Sequence, residues 1–293
     1  MRITNQMMTN GAIRHLQENQ EAMRALQEKI ASGKNFEYAS DDPVNASLSL
    51  GLKSSVRTLQ SYIDGNAMNS DWMNATDFAF QEMEDLANRA TSLVQRGLND
   101  TMGASERINS IAPEMDTLLQ HALTIANTTH NNQYVFSGFR VTTIPFDVTG
   151  STVNYHGDSG LIQRSLAPNQ TVTLNVRGDQ ALQSFMQSIV DARDALLAND
   201  TVSLRTALSG LQSGLTTLDQ YRTSHGARMR QVQTASEFLD KAQLEAKSLL
   251  SKKEDVNLAE AIAMLKGQEN SFQAVLEVSQ RAISATSLFD MLG

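Results

Sequence analysis

Apolar residues recur at steps of three and four at both ends of this chain, and this repeat limits the possible folds more than any other feature. Near the C-terminus, in residues 255–293, the repeat positions are Leu265, Gln268, Phe272, Val275, Ser279, Ala282, Thr286 and Phe289. Near the N-terminus they are Ala12, Leu16, Asn19, Met23, Leu26 and Ile30. Such spacing is typical of a coiled-coil seam. Each end is therefore predicted to form an amphipathic helix.

These terminal helices need partners, because a single helix of this length is marginal in water until its apolar face is buried. A second row at the C-terminal end widens the apolar stripe there. The predicted assembly interface combines the rows of both ends and consists of Leu16, Met23, Leu26, Ile30, Leu258, Ile262, Leu265, Phe272, Val275, Leu276, Ile283, Leu288 and Phe289. The partner is either the other end of the same chain or the same pair of helices in a neighbouring copy. Periodicity alone favours neither.

The segment after the first helix carries the signals of a hinge between two helices. Gly33 is a natural helix stop, and the pair Asp41 and Asp42 can supply N-cap oxygens. Pro43 has the backbone geometry suited to the first turn of the next helix. A cation could also bind the two carboxylates, but capping is the simpler interpretation.

Two long helical patterns occupy the middle of the chain. From Val44 to about Met102 no proline interrupts the sequence, and a helix of this length would measure about 90 Å. From Leu204 to Leu250 the seam continues without a slip. Helices of this size are typical of coiled coils and bundles, not of compact enzyme domains.

Between the long helices the period changes to that of short strands and turns. The predicted strands are 134–136, 152–155, 162–166 and 172–176, separated by glycines and prolines. The fold class is therefore mainly α, a long helical coiled-coil or bundle rod with paired N- and C-terminal helices and a small β insert. Three domains are predicted: 1–40 with 255–293, 41–131 with 179–254, and 132–178.

Composition excludes several classes of function. The net charge is −8 with scattered basic residues, so no nucleic-acid partner is predicted, and no apolar run is long enough for a membrane span. The polar N-terminus does not resemble a secretory signal peptide. There is no cysteine, and the five histidines lack metal-ligand spacing. No catalytic, cofactor-binding or metal-binding site is predicted, so the chain is not expected to be an enzyme.

Several short motifs, taken together and in order, resemble the bacterial flagellar hook-filament junction family (hook-associated protein 3), which is related to flagellin. The motifs are residues 1–8 (MRITNQMM), 32–34 (SGK), 40–43 (SDDP), 125–129 (IANTT), 134–138 (YVFSG), 145–147 (PFD), 155–157 (YHG) and 287–290 (SLFD). They cover both ends and the middle of the chain.

This resemblance implies a structural adaptor with no catalysis, in which subunits form a ring between the first hook-associated junction protein and flagellin. It also implies an extracellular location in the flagellum, export through the flagellar type III apparatus, and an export chaperone before secretion. Two alternatives stay open: flagellin itself, and a helical type III secretion component. The terminal helices are expected to be largely disordered before assembly and to order as subunits add.

Overall fold

The computed structural model describes the backbone of residues 2–291 and the side chains of residue 7 and residues 10–280. The helices are α1 (Arg2–Ser32), α2 (Pro43–Gly97), α3 (Ala104–Glu106), α4 (Ala112–Ala126), α5 (Gly178–Ala181), α6 (Gln183–Leu197), α7 (Thr201–Glu254) and α8 (Leu258–Met291). The strands are β1 (Thr129–His130), β2 (Gln133–Tyr134), β3 (Phe146–Thr149), β4 (Thr152–Tyr155), β5 (Gln163–Ala167) and β6 (Gln170–Thr173). A mainly α fold with long helices and a small β insert is thus confirmed.

The chain divides into two compact units. Residues 1–58 with 242–293 form the first, which holds α1, α8 and the ends of the long helices. Residues 59–241 form the second, which holds the rest of α2 and α7, the short helices and all the strands that the structure describes. The division into three domains stays a prediction.

The core of the second unit begins with the apolar row of α2. Phe80, Met83 and Ala87 follow one another at steps of three and four, and all three are fully buried. The ring of Phe80 meets the ring of Phe136 edge to face, with the centroids 5.5 Å apart. Such aromatic pairs add about 0.5–1.5 kcal/mol beyond the area they bury. The same continuous core contains Phe146 and Val153 of the hairpin β3–β4, so helices and strands are packed together.

A buried arginine, Arg107, hydrogen-bonds to the backbone of the connection from α2 to α4. A π-helical turn, Arg107–Ile111, precedes α4, and Pro113 lies in the first turn of that helix. The Arg107 guanidinium donates hydrogen bonds to the carbonyl oxygens of Gly97 (2.7 Å) and Asn99 (3.2 Å) and to Asn199 Oδ1 (3.0 Å). It therefore satisfies carbonyl groups that the end of α2 leaves open.

The strands form three separate antiparallel hairpins, β1–β2, β3–β4 and β5–β6. Strand β4 has the predicted bounds, but β2 ends at Tyr134, earlier than predicted, and β3 was not predicted at all. Its start, Phe146, exchanges two hydrogen bonds with the Asn127 side-chain amide, at 3.0 Å and 2.9 Å. A side chain beyond α4 thus completes the hydrogen bonding of this strand.

The partner strand β4 is held by α6 in the same manner. The N–H of Val153 donates to Gln187 Oε1 at 3.0 Å, and the carbonyl of Val153 accepts from Gln183 Nε2 at 3.2 Å. Gln187 Nε2 also donates to the carbonyl of Ser151 at 2.8 Å. Side-chain amides from helical segments therefore take the place of neighbouring strands on both edges of this hairpin.

His225 on α7 is enclosed in the second unit and is fully buried. Its Nε2 lies 2.9 Å from the carbonyl oxygen of Met73 on α2, so Nε2 carries the proton and donates. Within the described part of the chain Nδ1 has no hydrogen-bond partner. Burial lowers the pKa of His225, opposed by the hydrogen bond to Met73. The buried ring is therefore neutral at neutral pH.

We expect His225 to make the second unit sensitive to acid. Its folded-state pKa lies below its unfolded value, about 6.5, so only the unfolded chain takes up this proton as the pH falls below that value. The free energy of unfolding should fall by up to about 1.4 kcal/mol per pH unit until the folded pKa is reached. Urea unfolding from about pH 7.5 to about pH 5.5 measures this slope.

The variant His225→Gln should be less stable at neutral pH but should show a flatter dependence on pH. His121→Gln is the matched control, because His121 is exposed on α4. It should keep the wild-type slope. Equal slopes in the two variants would contradict the role of His225.

Candidate assembly surface

The first unit pairs the two terminal helices in antiparallel fashion. Where α1 ends and α8 begins, the N–H of Val256 donates to the carbonyl of Gly33 at 2.9 Å. Further along both helices, Gln268 Nε2 donates to Asn19 Oδ1. These two amides are the polar positions predicted in the seams, and each satisfies the other. The other end of the same chain is therefore one partner of each terminal helix.

The predicted interface residues fall into three groups. Seven of them, Leu16, Met23, Leu26, Ile30, Leu265, Phe272 and Val275, are half-buried. The second row stays exposed: Leu258 by 50%, Ile262 by 53% and Leu276 by 37%. Ile283, Leu288 and Phe289 lie outside the described side chains. The half-buried group lies at seam positions of the α1–α8 pair, whereas the second row is left uncovered.

A short backbone pairing joins the end of α1 to the connection between α7 and α8. Gly33 has a φ of +71°, a conformation that favours glycine, and this turns the chain out of α1. The N–H of Asn35 donates to the carbonyl of Glu254 at 2.7 Å, and Asn35 Nδ2 donates to the carbonyl of Asp255 at 2.8 Å. With the bond from Val256 to Gly33, these contacts fix where the terminal pair begins.

The carboxylate of Glu254 lies at the centre of this joint, with its side chain only 6% exposed. Lys34 Nζ donates to it, Lys53 Nζ lies 2.8 Å away, and Ser49 Oγ donates from 3.4 Å. The hydrogen bond from Lys34, followed by that from Lys53, lowers the pKa of Glu254. A buried charge is costly unless it is paired. We call Glu254 with Lys34 and Lys53 the Glu254 clasp.

The Glu254 clasp was not predicted from the sequence. A signal was present, because Glu254 continues the α7 seam four residues after Leu250. A charged residue at a seam position predicts either a break or a buried ion pair. The partners Lys34 and Lys53 lie about two hundred positions away, at separations of 220 and 201 residues, so no local pattern could identify them.

The two aspartates among the predicted hinge residues accept hydrogen bonds from nearby backbone N–H groups. Asp42 Oδ1 accepts from the N–H of Asn45 at 3.0 Å, which makes Asp42 the N-cap of α2, with Pro43 as its first residue. Asp41 Oδ2 instead accepts from the N–H groups of Tyr38 (3.0 Å) and Glu37 (3.3 Å) inside the loop. Backbone hydrogen bonds lower the pKa of both carboxyl groups, from Tyr38 for Asp41 and from Asn45 for Asp42.

The described residues hold neither a metal site nor a membrane-spanning helix. No group of three or more histidine, aspartate or glutamate side chains there could hold a metal ion. None of the described helices has an apolar stretch long enough to cross a membrane. The most distinctive surface described in the first unit is therefore the terminal helix pair with its uncovered apolar row.

Comparison with known proteins agrees with this architecture. A family model for the bacterial flagellin N-terminal helical region matches residues 3–140. The flagellar hook-associated protein 3 of Salmonella typhimurium is 26% identical over 226 residues, which cover 73% of this chain and 67% of that protein. A flagellin of Clostridium tyrobutyricum is 26% identical over 175 residues, covering 59% of this chain and 45% of that protein.

A solved structure shares the fold. The flagellar junction protein FlgL of Legionella pneumophila has a TM-score of 0.58 at 14% sequence identity, with 72% of this chain and 100% of that chain covered. The helical architecture agrees with these matches: residues 3–140 are similar to the flagellin N-terminal helical region. The relatives that the chain resembles include hook-associated protein 3 of two bacterial species.

We expect removal of the Glu254 charge to loosen the joint. Glu254→Gln should reduce the free energy of unfolding by about 1–2 kcal/mol, because two lysines lose their partner, although both are nearly half-exposed. Since the pKa of Glu254 is lowered, this contribution is present above about pH 4.3 and is lost as the pH falls below that value.

Amide hydrogen exchange measures the effect locally. In Glu254→Gln the N–H group of Asn35, which donates to the carbonyl of Glu254, should exchange faster, because this pairing adjoins the clasp. Glu245→Gln is the control, since Glu245 is an exposed residue on the same helix. Equal exchange rates in the two variants would show that the clasp does not hold the joint.

Proposed function

We propose that this chain is a structural adaptor subunit of the bacterial flagellum, which joins the hook, through the first hook-associated protein, to the flagellin filament. The observation that carries this proposal is the paired terminal helices with an uncovered apolar row, in a chain related to hook-associated protein 3. The Legionella pneumophila protein of the same fold is a flagellar junction protein, which supports the same role. In this role the chain performs no catalysis.

Assembly is driven by burial of the apolar row that the α1–α8 pair leaves open. Leu258, Ile262 and Leu276 are between 37% and 53% exposed. Covering what remains of each side chain yields about 1 kcal/mol, so several such contacts per subunit offset the cost of ordering the terminal segments. Contacts between different surfaces of successive subunits generate rings or helical lattices. We therefore expect the subunits to contact one another in a ring between the hook and the filament.

The route to this location is part of the same proposal. The subunit leaves the cell through the flagellar type III apparatus and functions outside the cell. A flagellar export chaperone binds it before secretion and covers the apolar rows of the terminal helices, which would otherwise be exposed in the cytosol.

Flagellin itself is the second candidate, favoured by the match to the flagellin N-terminal region and by the Clostridium tyrobutyricum relative. That relative covers less of this chain than hook-associated protein 3 does, 59% against 73%. The opening residues 1–4 and the closing residues 287–290 also resemble the junction family. A helical type III secretion component is the third candidate and requires a membrane or receptor partner.

Deletion of the gene separates these candidates. We expect cells that lack it to keep their hooks and to release flagellin monomers into the medium, because the filament has no adaptor to start on. Electron microscopy of the cells and immunoblots of the medium measure both results. Hooks without any flagellin in the medium would favour flagellin as the identity. Normal filaments would overturn the junction role.

Amide hydrogen exchange on the purified monomer and on assembled flagella tests the mechanism. We expect fast exchange in roughly the first 30 and last 40 residues of the monomer, and protection of both segments after assembly. The second unit should be protected in both states, because its core is fully buried. Uniform protection in the monomer would instead indicate a self-contained bundle.

A further inference from the structure

A basic groove lies on the first unit, on a different surface from the terminal seam. Leu50, Val56 and Leu250 line it together with Lys53 and Arg57, around a cavity of about 400 Å³. Leu50 is 63% exposed, so the apolar floor is open to solvent. From residue 43 to residue 63, α2 contains these two cations and no acidic residue. The groove is therefore apolar inside and positive at its edge.

The two cations of this groove differ in what they contact. Lys53 is already paired with the Glu254 carboxylate. Arg57 donates from Nε to the carbonyl of Lys53 at 3.3 Å, and the described residues place no carboxylate within ion-pair distance of its guanidinium. Arg57 thus presents a charge that suits an acidic group arriving with an apolar surface.

A surface of complementary character lies on α8. Leu258, Ile262, Glu269 and Leu276 are separated by four, seven and seven residues, so they share one helix face beside the α1 seam. All four are exposed. From residue 258 to residue 280, α8 carries three glutamates and one lysine, so this segment is acidic. We call these four residues the α8 stripe.

We propose that the α8 stripe of one copy lies in the basic groove of a second copy, with Glu269 paired to Arg57 across the contact. The inference rests on the proposed function, since it names the self-contact by which subunits associate. The groove and the stripe are different surfaces of the same unit, so the contact is heterologous and can repeat around a ring.

A second copy is the occupant that the charges favour. An apolar groove with an unpaired arginine matches an apolar stripe with a central glutamate, and every subunit carries both surfaces. Burial of Leu50 and Leu250 against Ile262 and Leu276 supplies the attraction, whereas the ion pair sets the register of one helix on the other. No further component is required to build the contact.

The chain has no cysteine, so single engineered thiols report this contact without background. The test uses cells that produce two full-length variants, Leu50→Cys and Ile262→Cys, and treats their isolated flagella with a short bis-maleimide crosslinker. We expect a cross-linked dimer that contains one of each variant. The control replaces Ile262→Cys by Val278→Cys, which is 67% exposed but lies on another face of α8. Equal yields from both pairs, or no dimer in either, overturn the inference.

Charge reversal gives a second readout that does not depend on the thiols. Arg57→Glu and Glu269→Arg should each reduce the fraction of cells that retain filaments about two- to fivefold, and the double variant should recover it. A double variant as defective as the singles overturns the pairing. If these tests fail while deletion of the gene still releases flagellin, only the inference is lost. If deletion leaves filaments attached, the proposed function fails as well.

Discussion

The burial of one apolar stripe along each long helix is the constraint on which this molecule depends. In the second unit the stripe of α2 meets the short helices and hairpins, and residues such as Phe80 and Met83 lose all contact with water. In the described part of the first unit the terminal helices pack against each other, and seam residues such as Leu16 and Leu265 remain half-exposed. The core of the second unit is therefore fully buried, whereas the terminal pair leaves apolar side chains exposed to solvent. This exposed surface is the one that the proposed assembly would bury.

Within the first unit, the joint where the terminal pair begins is made by a charge rather than by apolar contacts. Glu254 is buried where α7 ends, and lysines from the α1–α2 loop and from α2 itself converge on it. Ion pairs require particular geometry, whereas apolar side chains can slide past one another. The Glu254 clasp therefore gives the terminal pair a defined starting point. The seam amides Asn19 and Gln268 fix its register further along.

Helices with a strong period could be predicted from the sequence, and long-range polar contacts could not. The end of α1 and the start of α2 follow from the heptad rows together with Gly33 and Pro43, because these signals are local, whereas α2 ends at Gly97, before the predicted end near Met102. Strand β3 was missed because it has only four residues, and its outer edge is completed by Asn127, nineteen residues earlier. For the candidate assembly surface, the seam and the second row could be predicted from the repeat of apolar residues in the sequence. Which of these residues stayed uncovered depended on how α1 packs against α8.

The hairpin β3–β4 has a consequence for contacts between separate copies of the chain. Two-stranded sheets expose unpaired backbone groups that recruit strands of other molecules and lead to aggregates. Here the Asn127 side chain hydrogen-bonds to the backbone of Phe146 on one edge. On the other edge, the side chains of Gln183 and Gln187 hydrogen-bond to the backbone of Val153. Side-chain amides thus shield the edges against unwanted strand addition. The outward-facing backbone groups of Phe146 and Val153 are therefore already hydrogen-bonded within the chain.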